Sequence, residues 1–375
     1  MGLKFKQEND TENLSGSSEM EEDILHENDE PINDTFWGCK GCGSLCVEEG
    51  YKLKLCKECR DNLSKRPIPI HIKVISLILI AIIIFSLSKF PRSISIGVEY
   101  ERGVQAEEAS KYLTAMKHYE NVAKEYPQSD KALVRLYVSY YYCGRIDEAY
   151  EVYDKIAGDS PSTKKMDKGL VQEVNEITSK LDRYYSPSKE VYDKLKDQKN
   201  AKIEDIINIL KPIVDKNPNE VYAAYYLANL YFDMKDYTKA SQVLSRVISK
   251  YPDFNAASLF QAATYRELGK YDEAVEYCND ALNNNVEDIG AYITLSKIEL
   301  KRRNNAKGLE YAKVAYEMDK EDPIVVANLA LAYHFNNLLS ERDKYYKIYQ
   351  DSGINDKYTD NFLKSIFDGS LQWQK

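Results

Sequence analysis

Pro127 and Pro161 stand 34 residues apart, and so do Pro218 and Pro252. Between these marks, small and aromatic residues recur at matching offsets. One unit carries Gly103, Tyr112, Ala115, Tyr119 and Pro127, and the next carries Leu136, Tyr140, Gly144, Ala149, Tyr153 and Pro161. Further on come Leu227, Ala228, Tyr231, Tyr237, Ala240, Leu244, Val247 and Pro252, then Ala262, Tyr265, Gly269, Tyr271, Ala274 and Ala281. A fixed period of this length confines the chain to a repeat architecture. Each unit can bury its apolar face only against its neighbours.

This pattern resembles the tetratricopeptide repeat (TPR) family over most of 96–352. The resemblance implies an all-α solenoid of antiparallel helix pairs stacked into a right-handed superhelix. It places repeats at 96–163 and 221–352, with weaker units at 289–322 and 323–352. A capping helix and tail are expected at 353–375, with Tyr358, Phe362 and Phe367 on its apolar face. One region breaks the period, because Pro161 to Pro218 is 57 residues. It holds an amphipathic pattern (Met166, Leu170, Val174, Ile177, Leu181), then Ser186-Pro187, then a degenerate repeat. The array is expected to bend or to carry a joint within 164–220.

In this family the first helix of each repeat lines a concave face. By family position that face carries Val138, Tyr141, Tyr142, Tyr225, Asn229, Phe232, Arg266, Lys297 and Lys301, and the resemblance implies a protein or peptide partner there. Tyrosine offers rigid apolar area with a polar tip, which suits such recognition. Many of the 31 tyrosines also fill ordinary repeat cores. Tyr225 stands where the subclass that grips chaperone carboxylates has its first clamp lysine, so the resemblance disfavours that ligand.

Ahead of the repeats lie five of the seven cysteines, all between 39 and 59. Cys39/Cys42 and Cys56/Cys59 form two Cys-x-x-Cys pairs with thirteen residues between them. Each short pair supplies two thiolates from a tight turn, as a tetrahedral Zn²⁺ site needs. The segment 35–66 resembles a zinc ribbon over about 25 residues, which implies one structural Zn²⁺ on those four cysteines. Cys46 is a fifth thiol that could replace Cys42. The rival readings are a redox dithiol or unbound thiols, and the βαβ setting of a redox motif is missing. The alternation from Tyr51 to Leu55 predicts a strand entering the second pair.

Between the cysteines and the repeats runs Val74 to Ser88, fifteen residues without a charge. With its flanks, 70–90, it can reach across a bilayer core of roughly 30 Å at about 1.5 Å per residue. A single membrane-spanning helix is expected there, with Lys73 and Lys89 at its ends. The window 50–69 carries Lys52, Lys54, Lys57, Arg60, Lys65 and Arg66, whereas 88–107 carries Lys89, Arg92 and Arg102. That asymmetry places the N-terminus in the cytoplasm and the repeats outside it. A reduced cysteine cluster fits the same side. Residues 1–34 hold eleven acids against Lys4 and Lys6, a composition expected to stay disordered.

Nothing in the sequence carries catalysis. The four histidines are scattered, and no phosphate loop, nucleophile elbow or His-Glu-x-x-His is present. Cys143 and Cys278 read as small packing residues. The net charge of −9 leaves no basic domain for nucleic acid beyond the short segment beside the apolar run. The expectation is a non-enzymatic, membrane-anchored scaffold for protein interaction, with no small-molecule substrate. The alternative is a regulator whose zinc segment contacts nucleic acid or transcription components while the repeats sense a ligand.

Overall fold

The computed structural model describes residues 38–65, 68–157, 166–198, 201–353 and 357–374, and every side chain within them except those of 87–91. The acidic tail, the start of the cysteine segment at 35–37, Pro67 and Pro161 lie outside the described residues. The chain divides into two compact units, 1–85 and 86–375.

In the first unit the two cysteine turns are followed by helix α1, Lys57–Ser64. Its N-cap is Cys56, whose sulfur accepts from the backbone N–H of Cys59. The strand expected at 51–55 is not formed, and no strand occurs among the described residues. Lys40 N–H donates to Lys54 O at 2.9 Å and Glu48 N–H to Leu55 O at 3.0 Å, two isolated backbone bonds rather than a ladder. The alternation of Tyr51, Leu53 and Leu55 buries Leu55 alone, so there is no inner face for a strand to cover.

Helix α2 is long, Ile70–Glu108. Every Val, Ile, Leu and Phe between Ile70 and Phe85 is exposed along it. The boundary expected at residue 90 is absent, because the helix continues as the first helix of the repeat region. Among the described residues no helix is long and apolar enough to cross a membrane.

The second unit is built from helix pairs. They are the end of α2 with α3 (Tyr112–Glu125), α4 (Asp130–Tyr142) with α5 (Ile146–Ala157), and, after an irregular stretch, four more. The irregular stretch is α6 (Lys168–Tyr185), the short α7 (Lys189–Leu195) and α8 (Ile203–Lys216). Then come α9 (Val221–Asp233) with α10 (Tyr237–Lys250), α11 (Asn255–Glu267) with α12 (Tyr271–Asn284), α13 (Ile289–Lys301) with α14 (Asn305–Met318), and α15 (Pro323–Phe335) with α16 (Leu339–Asp351). Helix α17 (Lys357–Phe367) ends the array and buries Leu363 and Ile366.

The register is written in the turns within pairs. Each turn has one residue with positive φ: Ser110, Gly144, Lys235, Gly269, Arg303 and Asn337. Such a residue ends one helix in a left-handed cap and lets the chain reverse into the next. The steps 110 to 144, 235 to 269, 269 to 303 and 303 to 337 are all 34 residues. The step from 144 to 235 is not a multiple of that length, which is where α6 to α8 are inserted. Helix α6 packs on both α4 and α9, and so replaces a regular pair as the link.

The array turns back on itself. The backbone N–H and hydroxyl of Thr114 donate to the Glu287 carboxylate at 2.8 and 2.7 Å. Lys117 Nζ donates to the Met318 carbonyl at 2.9 Å, and Arg145 pairs with Asp319 at 2.9 Å. Asn285 Nδ2 donates to Tyr142 O at 3.1 Å. Ile289 and Met318 pack against the apolar cluster of the first two pairs.

Candidate functional site

Two places concentrate functional chemistry, one in each unit. In the first, the Sγ atoms of Cys39, Cys42, Cys56 and Cys59 all lie within 4.8 Å of one another, and Cys42 and Cys56 are 3.6 Å apart. A tetrahedron with Zn–S bonds of about 2.3 Å has its sulfurs about 3.8 Å apart, so the four thiols fit that ion. Backbone amides point at the sulfurs, Cys56 N–H to Cys39 Sγ at 3.1 Å and Gly41 N–H to the same atom at 3.4 Å. Those amides hold the Cys39 thiol down to about 6, while the adjoining thiols of Cys42 and Cys56 push Cys59 up to about 12. Amides of this kind serve as the outer partners that orient metal ligands. Cys46 is exposed, lies outside the four, and donates its N–H to Ser44 Oγ.

In the second unit, the residues expected on the first helices fall into three groups. Tyr141 and Tyr142 sit at the end of α4 with rings 5.2 Å apart, and Tyr142 stacks on Tyr112 at 4.1 Å. Val138, one turn earlier, is buried. Tyr225 and Phe232 on α9 are half-buried in an aromatic row with α11: Tyr225 lies 5.2 Å from Phe254, and Phe232 lies 5.2 Å from Phe260. Burial pushes the Tyr225 phenol up to about 12. Asn229 turns its amide back to the Tyr225 carbonyl at 2.9 Å.

The third group joins α11 and α13. Arg266 Nε donates to Glu267 at 2.8 Å, and Lys301 Nζ lies 3.4 Å from the same carboxylate. Lys297, one turn before Lys301, has no ion pair or hydrogen bond among the described residues. Burial and then the positive charge of Arg266 bring its ammonium down to about 8. Two of these cations thus share the Glu267 carboxylate, and Lys297 stands beside them with no ion pair of its own among the described residues. Sequence reasoning missed Trp373, which lies over the shelf with its ring centre 4.9 Å from Lys301 Nζ and 5.9 Å from the Arg266 guanidinium carbon. Gln374 holds the segment in place by donating to Leu300 O and Asn305 Oδ1 at 2.5 and 2.8 Å. The only available signal was that the chain has just two tryptophans.

The profile of the tetratricopeptide repeat protein 21 C-terminal ARM domain matches residues 166–342. A TPR repeat-containing protein of Methanocaldococcus jannaschii is 32% identical over 92 residues, 23% of this chain and 29% of that protein. The chain is a TPR-like helical repeat protein. It spans less than a third of that relative's length, and the match carries repeats without a shared whole. Solved structures similar to this TPR-like array include a tetratricopeptide repeat protein from Parabacteroides merdae, 15% identical with a TM-score of 0.39, covering 72% of this chain and 98% of that one. A thermophilic TPR protein of Thermus thermophilus is 16% identical with a TM-score of 0.39, over 45% and 90% of the two chains. MamA from Desulfovibrio magneticus is 16% identical with a TM-score of 0.36, over 44% and 91%.

Proposed function

We propose that this TPR-like chain is a non-enzymatic scaffold that takes an acidic protein or peptide segment on the first-helix face, anchored to a membrane through 70–90. The observation that carries the reading is the shelf of Arg266, Lys297 and Lys301, with Glu267 as its one ion-pair partner among the described residues. A buried cation without a counter-charge is unfavourable in the free protein, and an incoming carboxylate relieves it. The aromatic rings of Tyr225 and Phe232 supply apolar area beside it. The exposed apolar side chains of α2 support the anchor, since a row of this length is rarely left to water. The basic residues before that row favour a cytoplasmic N-terminus, with the repeats on the other side. In this reading the four cysteines hold one structural Zn²⁺, which ties the two turns together and leaves no open position for chemistry.

Capture of partners by the full chain, by Lys297→Met and by Lys301→Glu tests the shelf. Both variants should lose at least about tenfold in capture while keeping the wild-type helical signal. Undiminished capture by both would move the binding surface off this shelf. Protease added outside intact cells should digest the repeats and spare the cysteine segment. The reverse pattern would overturn the orientation, and release of the chain by alkaline extraction would overturn the anchor.

A further inference from the structure

Away from the basic shelf, the ends of α4 and α6 and the starts of α11 and α13 enclose a cavity of about 250 Å³. It exists because the array turns back on itself and brings α4 against the later repeats. Its walls include Tyr141, Tyr142, Tyr185 and Phe254, and its charged groups are Asp253 and Asp288. Drug-sized pockets run to about 300–1,000 Å³, so this one suits a single side chain or a small molecule.

The tyrosine hydroxyls set the cavity apart. Around it, Tyr119, Tyr137, Tyr140, Tyr150 and Tyr184 each bond their hydroxyl to a neighbour, at 2.7 to 3.2 Å. Tyr141, Tyr142 and Tyr185 line the cavity, and their hydroxyls have no partner among the described residues. None of the three is sealed from solvent without a partner, so each can donate to or accept from a group that enters the cavity.

Charge decides what kind of group that is. Lys180 approaches Asp253 at 3.3 Å and Glu176 at 3.1 Å, and its ammonium lies 5.9 Å over the Tyr141 ring. A cation thus already stands at the edge of this aromatic wall, held by the two carboxylates. Asp288 caps α13 through Oδ1, which accepts from Ala291 N–H at 3.0 Å, and its carboxylate meets no cationic side chain in an ion pair among the described residues. Burial raises Asp288 to about 6, which leaves it ionised at pH 7.5. Cys143, also in the wall, is pushed up to about 12 by burial, so no thiolate is offered for covalent chemistry. Phenol oxygens, ring faces and a carboxylate together complement an alkylammonium or guanidinium group. An anion would meet the acids, and a hard metal ion would lack its six or more oxygen ligands.

We infer that this cavity binds an organic monocation, a primary ammonium or guanidinium head on an unbranched chain, held by Tyr141, Tyr142, Tyr185 and Asp288. The head belongs either to a free amine or to a lysine or arginine side chain of a partner.

The test is calorimetric titration of the full chain in detergent with n-butylammonium, with neutral n-butanol, and with a lysine peptide blocked at both ends. The ammonium should bind at least about tenfold more tightly than the alcohol. Asp288→Asn retains an oxygen to cap α13 and removes the charge, and it should abolish that preference. Tyr185→Phe keeps the ring and should weaken the ammonium severalfold. Binding of the free amine identifies a small-molecule site, and binding of the blocked peptide alone identifies a side-chain site. No saturable ammonium binding to either probe, equal binding of the alcohol, or full retention in both Asp288→Asn and Tyr185→Phe would overturn the assignment.

Discussion

Replacing Gly103 by alanine should destabilise the first helix pair, although alanine is the better helix former. Removing a glycine from a helix interior gains up to about 1 kcal/mol. At Gly103 the added Cβ would lie 2.5 Å from Tyr119 Cε1 and 2.9 Å from Cδ1 and Cζ. The ring has nowhere to go. Tyr119 is fully buried, its hydroxyl donates to Glu107 at 2.8 Å, and that carboxylate in turn pairs with Arg135 at 2.9 Å. Overpacking costs about 1–3 kcal/mol. With the ring locked in place the upper part of that range, about 2–3 kcal/mol, outweighs the gain in propensity and leaves a net loss of about 1–2 kcal/mol. Gly97, in the same helix with nothing within 4 Å of its added Cβ, is the control, and Gly97→Ala should gain up to about 1 kcal/mol. Thermal unfolding should separate the two variants by several degrees, at about 2–4 °C per kcal/mol for a unit this large. Because repeats need not melt in one step, hydrogen exchange of the α2 and α3 amides should localise the loss. Equal stability of the two variants would refute the argument from close packing.

Lys235 holds φ at 60° in a turn where Gly269 fills the next equivalent position, so Lys235→Gly should stabilise by about 1 kcal/mol in urea unfolding. Metal analysis of the full chain should give one Zn²⁺, lost in Cys56→Ser and kept in Cys46→Ser, since Cys46 stands outside the cluster. Burial lowers Lys297 to about 8 from its ordinary 10.5, so the folded state binds fewer protons than the unfolded one between those values. Its unfavourable contribution is therefore full below pH 8 and relieved by about pH 10.5. Lys297→Met should gain about 2–3 kcal/mol at pH 7, and the gain should fade as the pH is raised in equilibrium unfolding.

The repeat region was legible because Gly144 and Gly269 sit at the turns where a left-handed residue is needed. The same position holds Ser110, Lys235, Arg303 and Asn337 elsewhere, which hides the register from anyone counting glycines. The two cysteine pairs fixed the four converging thiols through spacing alone. The alternation from Tyr51 to Leu55 predicts a strand that the structure lacks, because Tyr51 and Leu53 are exposed and there is no inner face to cover. The binding face was harder to read. Tyr225 and Phe232 stand on a first helix, yet their rings also fill the space between α9 and α11, and a tyrosine looks the same in either role. Asp288 reads in the sequence as a helix cap, which it is. That it also faces a cavity depends on the closing of the array, and that closing rests on polar surface groups such as Arg145 and Asp319, which leave no periodic trace.

The closing contacts also set an order of events during synthesis. Thr114 is 173 residues from Glu287, Arg145 is 174 from Asp319, and Lys117 is 201 from Met318. At about 5–20 residues per second, roughly 10–40 s pass between the appearance of one partner and the other at the ribosome. Through that interval the first repeats stand with part of their apolar surface open to water, waiting for a segment not yet made. Their stability thus depends on segments made 173 to 201 residues later. A nascent chain halted before residue 319 should remain a protease-sensitive intermediate however long it is given to fold.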